Sequence, residues 1–492
     1  LTLGYKSMQE EVRDPHPLME LPNMFLHTNF RLSSESDMVL LSDANENILD
    51  SISFQNVPTD MSFGRHFETD FWSIFAEPTP LSSNNSSAFL GALEPPSFSL
   101  SSGFYENDHA LTISSNNDSV DIRYTSDGTI PTQNSSLYVG TILIDETKVI
   151  RARTFLNGWY RSDVESKTYI FDETAADGLP TIFLTTDPGN FFDNDTGIYV
   201  MGDNASSNFP YFGANFWEDW ERPIHFEILE QDLSGYSANA GVKIFGGWSR
   251  GQNQKSLSIF ARSQYGYSSF EYPLFPNSEI SAYESFVLRN SGNDWTSSML
   301  RDGFITGLAD NTNIDHQLYR PAIIYLNGEY WGIQNIREKV SEHFLSSHHD
   351  IPSEHIDLLD IQGTNPENIV HGTNIDYLNL LDYLNNNDIE DPSVQSGIEG
   401  WIDINSFMQY QAFQIFIDNR DWPGNNIKFW RDHRTSGKWR WILYDTDFGF
   451  GIWDPNAYTF NTLSFALSPN GPDWPNPPWS TYMFRRLLEN NH

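Results

Sequence analysis

The 492-residue chain contains no cysteine. That excludes disulfides, thiolate metal sites and a cysteine nucleophile, and it leaves the redox compartment undecided. Basic residues are scarce: 28 Lys and Arg stand against 66 Asp and Glu, a net charge of −38. So acidic a chain offers no basic patch to nucleic acid or anionic lipid, and neither is expected as a partner. No run of 18 apolar residues occurs, so no membrane span is expected. The sequence starts at Leu1 without Met or a signal peptide. It stops at His492, soon after the apolar-periodic Tyr482-Met483-Phe484-Arg485-Arg486-Leu487-Leu488, and both ends read as cut or processed. What is abundant is aromatic: 15 Trp, 22 Tyr and 35 Phe supply apolar surface for several cores. The length implies roughly two to four domains.

Turn residues divide the chain. Residues 1–26 carry Pro15, Pro17 and Pro22 and read as irregular. In 27–84, Val39-Leu40-Leu41 and 48–54 are expected strands around the Asp43-Ala44-Asn45 turn. Ser62-Phe63-Gly64-Arg65 and Pro78-Thr79-Pro80 close this part, and the polar 82–87 reads as a linker. Residues 95–172 predict strands at 110–114, 121–125, 148–155 and 166–171, with turns at Asp127-Gly128 and Asn157-Gly158. Short strands at that spacing point to a small immunoglobulin-type sandwich.

After 172–178 the pattern mixes. Strands are expected at 181–185, 224–229, 241–245, 256–261 and 285–288, and a hairpin within 321–331 turns at Asn327-Gly328. Residues 375–384 and 403–417 predict helices; in the second, Ile404, Phe407, Met408, Ala412, Ile415 and Phe416 form one apolar stripe. The expected fold class is multidomain. Two small all-β sandwich domains, at 1–88 and 92–173, precede an α+β domain at 178–492.

The stretch 418–449 carries the chemistry. Asp421 stands five residues before Asn426; two expected strands, 427–431 and 439–444, then lead to Asp445-Thr446-Asp447-Phe448-Gly449. Protein kinases place an Asn at that spacing after a catalytic-loop Asp, and a later Asp-Phe-Gly supplies a metal ligand. Phosphoryl transfer needs a carboxylate near the acceptor hydroxyl and a second set of oxygens on metal-bound phosphates. Asp421 is therefore the candidate that orients the hydroxyl and accepts its proton. Asp447 is the candidate metal ligand, and Asn426 offers a neutral oxygen beside it. Asp445 lies two residues earlier, on the same face if the strand continues, and is a candidate second ligand. Each has a plainer reading: Asp421 as the polar end of a helix, Asn426 as a turn residue with Asn425 competing for its role, Asp445 as a solvated turn. A lone Asp-Phe-Gly recurs by chance; its place after two strands is what singles out Asp447.

From about 180 to its end the chain resembles the spore-coat protein H (CotH) kinase-like family. The matching text includes Gly197-Ile198-Tyr199, Gly246-Gly247-Trp248-Ser249-Arg250, Gln254-Lys255-Ser256, Leu288-Arg289-Asn290 and Arg301-Asp302. It continues through Asn327-Gly328-Glu329-Tyr330-Trp331-Gly332, Arg337-Glu338, Asp421-Trp422-Pro423-Gly424-Asn425-Asn426 and Trp441-Ile442-Leu443-Tyr444-Asp445-Thr446-Asp447, in order. The resemblance implies an atypical protein kinase fold, ATP with Mg²⁺ or Mn²⁺, and phosphorylation of secreted or surface proteins on Ser or Thr. It implies Lys255 as the phosphate-contacting lysine, with Glu338 at the start of a helix as its ion-pair partner. It also implies that the Gly246–Gly251 loop covers phosphates, with Ser249 and Arg250 near the nucleotide. The plainer readings are two unrelated surface charges and an ordinary hairpin turn.

Ile122-Arg123-Tyr124-Thr125-Ser126-Asp127-Gly128-Thr129-Ile130-Pro131-Thr132 and Ile150-Arg151-Ala152-Arg153 resemble the chitobiase C-terminal-like sandwich. Leu26-His27-Thr28-Asn29-Phe30, Ser62-Phe63-Gly64-Arg65 and Thr79-Pro80 resemble the later part of a lamin-tail domain whose opening strands are missing. Such modules imply an exported protein of bacterial type, extracellular or at the cell surface. The last domain is short of the family's helical tail, so it is expected to be C-terminally incomplete.

Two other functions stay open. Asp445-Thr446-Asp447 also fits the DxD of a metal-dependent glycosyltransferase, and a kinase-like domain without activity would serve as a surface adhesion or scaffold protein. Two further clusters are set aside. Asp193-Asn194-Asp195-Thr196-Gly197 lacks the closing Glu of a calcium loop. His343, His348, His349 and His355 lack zinc spacing.

Overall fold

The computed structural model describes residues 32–33, 36–79, 82–171, 178–362, 365–434, 437–473 and 476–489. The irregular opening 1–26, Leu26-His27-Thr28-Asn29-Phe30, Pro80, the 172–177 change-over and the terminal 490–492 lie outside the described residues.

The first part holds two separate small sheets. Ser36–Ser42 pairs antiparallel with Ile48–Gln55, and Ser62–Arg65, Trp72–Phe75 and Ala88–Phe89 form a second sheet. The first hairpin turns because Asp43 Oδ1 accepts the backbone N–H groups of Asn45 (2.8 Å) and Asn47 (2.9 Å), an Asx-type turn. The two sheets meet through Phe54 and Phe63 and through Arg65 and Asp50, but among the described residues little core lies between them. Ile48, Leu49, Phe67 and Phe71 are exposed, and burial is confined to Ser73, Ile74 and Phe75.

The next part is a sandwich, as the strand spacing predicts. A five-stranded sheet runs in the order Ser136–Leu137, Asp121–Thr125, Lys148–Phe155, Glu165–Ile170, Gly103–Phe104. Two short pairs, His109–Leu111 with Ile142–Ile144 and Ser97–Phe98 with Ile113–Ser114, cover it. Leu111, Ile113 and Ile144 from this cover pack on Ile150, Ala152 and Tyr169 of the larger sheet.

From Thr181 the chain builds a closed seven-stranded barrel. Its order is Thr181–Thr185, Arg222–Leu229, Gly235–Phe245, Ser256–Phe260, Ser285–Arg289, Glu329–Glu338, Tyr319–Leu326. Tyr319–Leu326 runs parallel to Thr181–Thr185 and closes the ring; the other neighbours are antiparallel. Alternation explains the filling: Phe226 and Ile228, Val242 and Ile244, Leu257 and Ile259, Phe286 and Leu288 all point inward. Asn327 and Gly328 adopt φ of 51° and 83°, the left-handed pair of a two-residue hairpin.

Beyond the barrel lies a five-stranded sheet, ordered Asp315–His316, Arg440–Leu443, Ile427–Asp432, Ile356–Gln362, Asn365–His371. One face packs on helices Ile375–Asn386, Pro392–Trp401, Ile404–Phe416 and Tyr482–Leu488, and the other on helix Glu342–His349. Asp391 and Asp403 cap two of these helices by accepting the N–H groups of Ser393 and Ser406. The predicted stripe on Ile404–Phe416 is only partly right. Phe407 is buried, but Met408 and Phe416 are exposed, and the buried face is completed by Tyr410, Gln411 and Gln414. These polar side chains tolerate burial because Gln414 donates to Tyr410 Oη (3.0 Å) and accepts from Asn419 (2.9 Å).

The sandwich is fused to the barrel. Ile170, Phe183, Ile323 and Tyr325 share one small core, joined by Phe104. Around it Ser102 donates to Glu227 (2.6 Å), and Lys167 lies 3.4 Å from the same carboxylate. Among the described residues no helix is long and apolar enough to cross a membrane.

Candidate active site

The site forms where a barrel strand, a short helix and the loop after Arg440–Leu443 meet. Inward-facing Leu288 leaves its neighbour Arg289, the last residue of Ser285–Arg289, on the opposite side of the strand. Its guanidinium reaches three acids. Nη2 donates to Asp445 Oδ1 and, at 3.0 Å, to Asp447 Oδ2, while Nε lies 3.4 Å from Asp302 Oδ2. Burial works against this cation, but the charges of Asp445, Asp302 and Asp447 outweigh it and hold the guanidinium firmly protonated.

Asp302 comes from helix Arg301–Gly307 and is buried. Burial opposes its charge, yet Arg337 (3.3 Å) and Arg289, with the Thr446 N–H (2.8 Å) and hydroxyl (3.0 Å), keep the carboxyl below its usual range. Thr446 is thereby pinned between the two acids of its Asp-Thr-Asp run. Asp445 does not continue the strand: it has φ of 52°, in the left-handed region. The two acids share a neighbourhood through Arg289, and the strand-face alternation assumed from the sequence is not the cause.

Asp447 is almost fully buried. Asn293 donates to it twice, from the backbone N–H to Oδ2 (2.9 Å) and from Nδ2 to Oδ1 (3.2 Å). This approach requires Gly292, whose φ is 56°; a Cβ there would lie 2.0 Å from Asp447 Oδ2. Burial first, then the charge of Asp445, push the Asp447 carboxyl up to about 7 against the pull of Arg289. Arg301 braces the loop beyond, donating to the carbonyls of Gly449 (2.9 Å) and Phe450 (3.1 Å).

Asp421, in the loop after helix Ile404–Phe416, lies within electrostatic reach of Asp445. Asn426 Nδ2 donates to its Oδ2 at 2.6 Å and Asn425 Nδ2 at 3.0 Å, so the two candidate amides act together. Asn426 has φ of 54°, a conformation Asn tolerates better than most residues. Burial, and then the charge of Asp445, push Asp421 up to about 6.

The structure does not bring Lys255 and Glu338 together. Lys255 precedes Ser256–Phe260, and its Nζ donates to the carbonyls of Arg250 and Gln252, both at 2.8 Å, beneath the ring of Phe216. Burial lowers it to about 8. Glu338 does not begin a helix; it ends strand Glu329–Glu338, where it accepts from the Leu318 N–H (2.9 Å) and lies 2.7 Å from His348 Nε2. The side chain of Gln334, four residues before it, is the one beside Lys255, donating to the Lys255 carbonyl at 2.8 Å. Lys255 therefore caps the loop that follows Gly246 and Gly247. That loop is the short 3-10 turn Trp248–Gly251, in which Arg250 bonds the carbonyls of Gly246 (2.5 Å) and Phe216 (3.2 Å). Ser249 stays near the site: its carbonyl lies 3.5 Å from Asn290 Nδ2, and Asn290 Oδ1 accepts the Gly292 N–H at 3.1 Å.

Sequence reasoning passed over Arg289, Asp302, Gly292 and Asn293 as site residues. Arg289 and Asp302 stood in matched text, and in a chain poor in basic residues an arginine at the end of an apolar strand was the available signal. Asp302, Asp421, Asp445 and Asp447 set four carboxyl groups against the guanidiniums of Arg289 and Arg337, an excess of two acids. Hard oxygen donors with that excess fit one divalent cation such as Mg²⁺, which takes one or two carboxylates plus substrate phosphates. Among the described residues no three His, Cys, Asp or Glu side chains form a metal cage by themselves.

A family model described as CotH kinase protein matches residues 242–492, and one described as chitobiase/beta-hexosaminidase C-terminal domain matches residues 100–166. The first match begins inside strand Gly235–Phe245, whereas the barrel begins at Thr181. A search of curated proteins finds no match to the chain.

Proposed function

The chain belongs to the CotH kinase protein family, and from that premise we propose that it is a secreted or surface atypical protein kinase. It moves the γ-phosphate of ATP to a Ser or Thr hydroxyl of an exported protein. The observation that carries this reading is Asp421, tied to Asn425 and Asn426 and within electrostatic reach of Asp445. A barrel on one side and a helix-backed sheet on the other, with these acids between, support a kinase-like α+β domain.

Asp421 is the general base. At about 6 it is ionised at neutral pH, yet more basic than an ordinary carboxylate, which suits it to take a hydroxyl proton as the phosphoryl group transfers. Asp447, Asp445 and Asn426 would hold Mg²⁺ or Mn²⁺, which when bound neutralises phosphate charge. The Trp248–Gly251 turn lies on the nucleotide side, with Ser249 tied to the acid corner through Asn290. Arg250 shapes that turn from within. The chitobiase-type sandwich supports an exported setting, because such modules accompany exported proteins in the resemblance described above.

A binding comparison tests the reading against a DxD glycosyltransferase. With Mg²⁺ present, ATP binds and a nucleotide sugar does not. Preference for the nucleotide sugar, or no nucleotide binding at all, overturns it.

A further inference from the structure

Protein kinases hold the nucleotide phosphates with a strand-borne cation, which a helix-borne acid keeps in place beside the metal-binding Asp. In this chain Lys255 and Glu338 do not form that pair. Lys255 spends its ammonium on two carbonyls of its own loop, and Glu338 is held by Leu318 and His348.

Arg289 and Asp302 occupy the arrangement instead. Arg289 ends a barrel strand, Asp302 sits in the first turn of helix Arg301–Gly307, and Arg289 touches Asp447 of the Asp-Phe-Gly. We propose that Arg289 is the cation that contacts the nucleotide phosphates and that Asp302 positions it. This rests on the kinase reading above. Asp302 is itself fixed from the other side by Arg337 and Thr446, so it is a rigid anchor for Arg289 Nε. A guanidinium serves both tasks at once: Nε faces Asp302 while Nη2 faces Asp445 and Asp447. A lysine offers one point charge and cannot span the two positions. Nη2 is the part directed at the acid pair, and so the part that meets phosphates brought to those acids. Asn290, the next residue, ties this strand end to the Ser249 carbonyl, which places the cation beside the loop expected to cover the nucleotide.

The test is calorimetric binding of ATP and of AMP, each with Mg²⁺, to the unaltered protein and to Arg289→Lys, Asp302→Asn and Lys255→Gln, with melting temperatures recorded alongside. Arg289→Lys keeps the charge and is the variant that leaves the buried acids least disturbed. It is expected to bind ATP about tenfold more weakly and AMP unchanged, because only the outer phosphates lose the forked contact. Asp302→Asn is expected to give a smaller loss of the same ATP-selective kind, whereas Lys255→Gln, which removes the ammonium that caps the nucleotide-side loop, is expected to weaken ATP and AMP binding alike. Equal losses for ATP and AMP in Arg289→Lys make its role structural and overturn the proposal. So does an ATP-selective loss in Lys255→Gln with Arg289→Lys unaffected. Failure of the unaltered protein to bind ATP removes the kinase reading itself, an outcome separate from tight binding that ignores Arg289.

Discussion

Asn426 Nδ2 lies 2.6 Å from Oδ2 of Asp421, with Asn425 adding a second bond to the same oxygen. Both amides use Oδ2, so Oδ1 is the oxygen left for a hydroxyl proton. A five-residue spacing in the sequence thus becomes one device, a carboxylate aimed by the amide group expected to share the metal.

That carboxylate sets a pH dependence. Its folded value, about 6, lies above the usual value for Asp, so the fold favours the protonated form. Stability from this group is fully present below about pH 4 and is lost as pH rises through 6. Phosphoryl transfer runs the other way, since the base must be ionised: its rate is expected to fall about tenfold per unit below pH 6. Asp421→Asn is expected to lower transfer by about 10²–10⁴-fold while raising the melting temperature at pH 7.5. A rate–pH profile flat to pH 5, or a lower melting temperature, contradicts this.

Gly292 leaves no room for a side chain against Asp447. Gly292→Ala puts a Cβ 2.0 Å from Oδ2 and 2.8 Å from Arg289 Nη2, at a φ of 56°. The expected cost is about 1–3 kcal/mol in denaturant unfolding, with weaker binding of Mg²⁺ and ATP. A variant as stable as the parent, with unchanged binding, would place the strand end farther from Asp447 than described.

Asp302 holds two buried guanidiniums. Asp302→Ala takes from Arg337 its ion-paired acid while Arg289 keeps Asp445 and Asp447, and an expected loss of about 3–5 kcal/mol follows from the uncompensated Arg337 charge. Urea unfolding checks it; a change below about 1 kcal/mol is the size of an exposed pair and would contradict the buried network.

Phe183 joins the sandwich to the barrel, packed with Ile170, Ile323 and Tyr325. Phe183→Ala is expected to cost about 3–5 kcal/mol and to let limited proteolysis separate the sandwich from the barrel. If the unaltered protein already separates under the same digestion, the shared core is not holding the two parts.

Local pattern carried much of the fold. Strand 181–185 and the Asn327-Gly328 hairpin were legible because alternation and left-handed turn residues are local signals. Helix Ile404–Phe416 was legible as a helix but not as a face. Gln411 and Gln414 are buried, and hydrophobic periodicity is blind to polar side chains that satisfy one another. The meeting of Asn426 with Asp421 was legible because five residues of chain keep them close. Arg289 and Asp302 were not, since a buried ion pair across a strand and a helix leaves no periodic trace. Lys255 and Glu338 were paired mainly by resemblance and by an expected helix at Glu338, and strand Glu329–Glu338 instead carries Glu338 four residues past the position beside Lys255.

The most direct test of the kinase account is transfer of labelled γ-phosphate from ATP, with Mg²⁺ or Mn²⁺, to the protein itself and to a Ser-rich acceptor, run beside Asp421→Ala and Asp447→Ala. The account predicts metal-dependent label in the unaltered protein and none in either variant. Label that survives both substitutions, or no ATP binding by the unaltered protein, would contradict it.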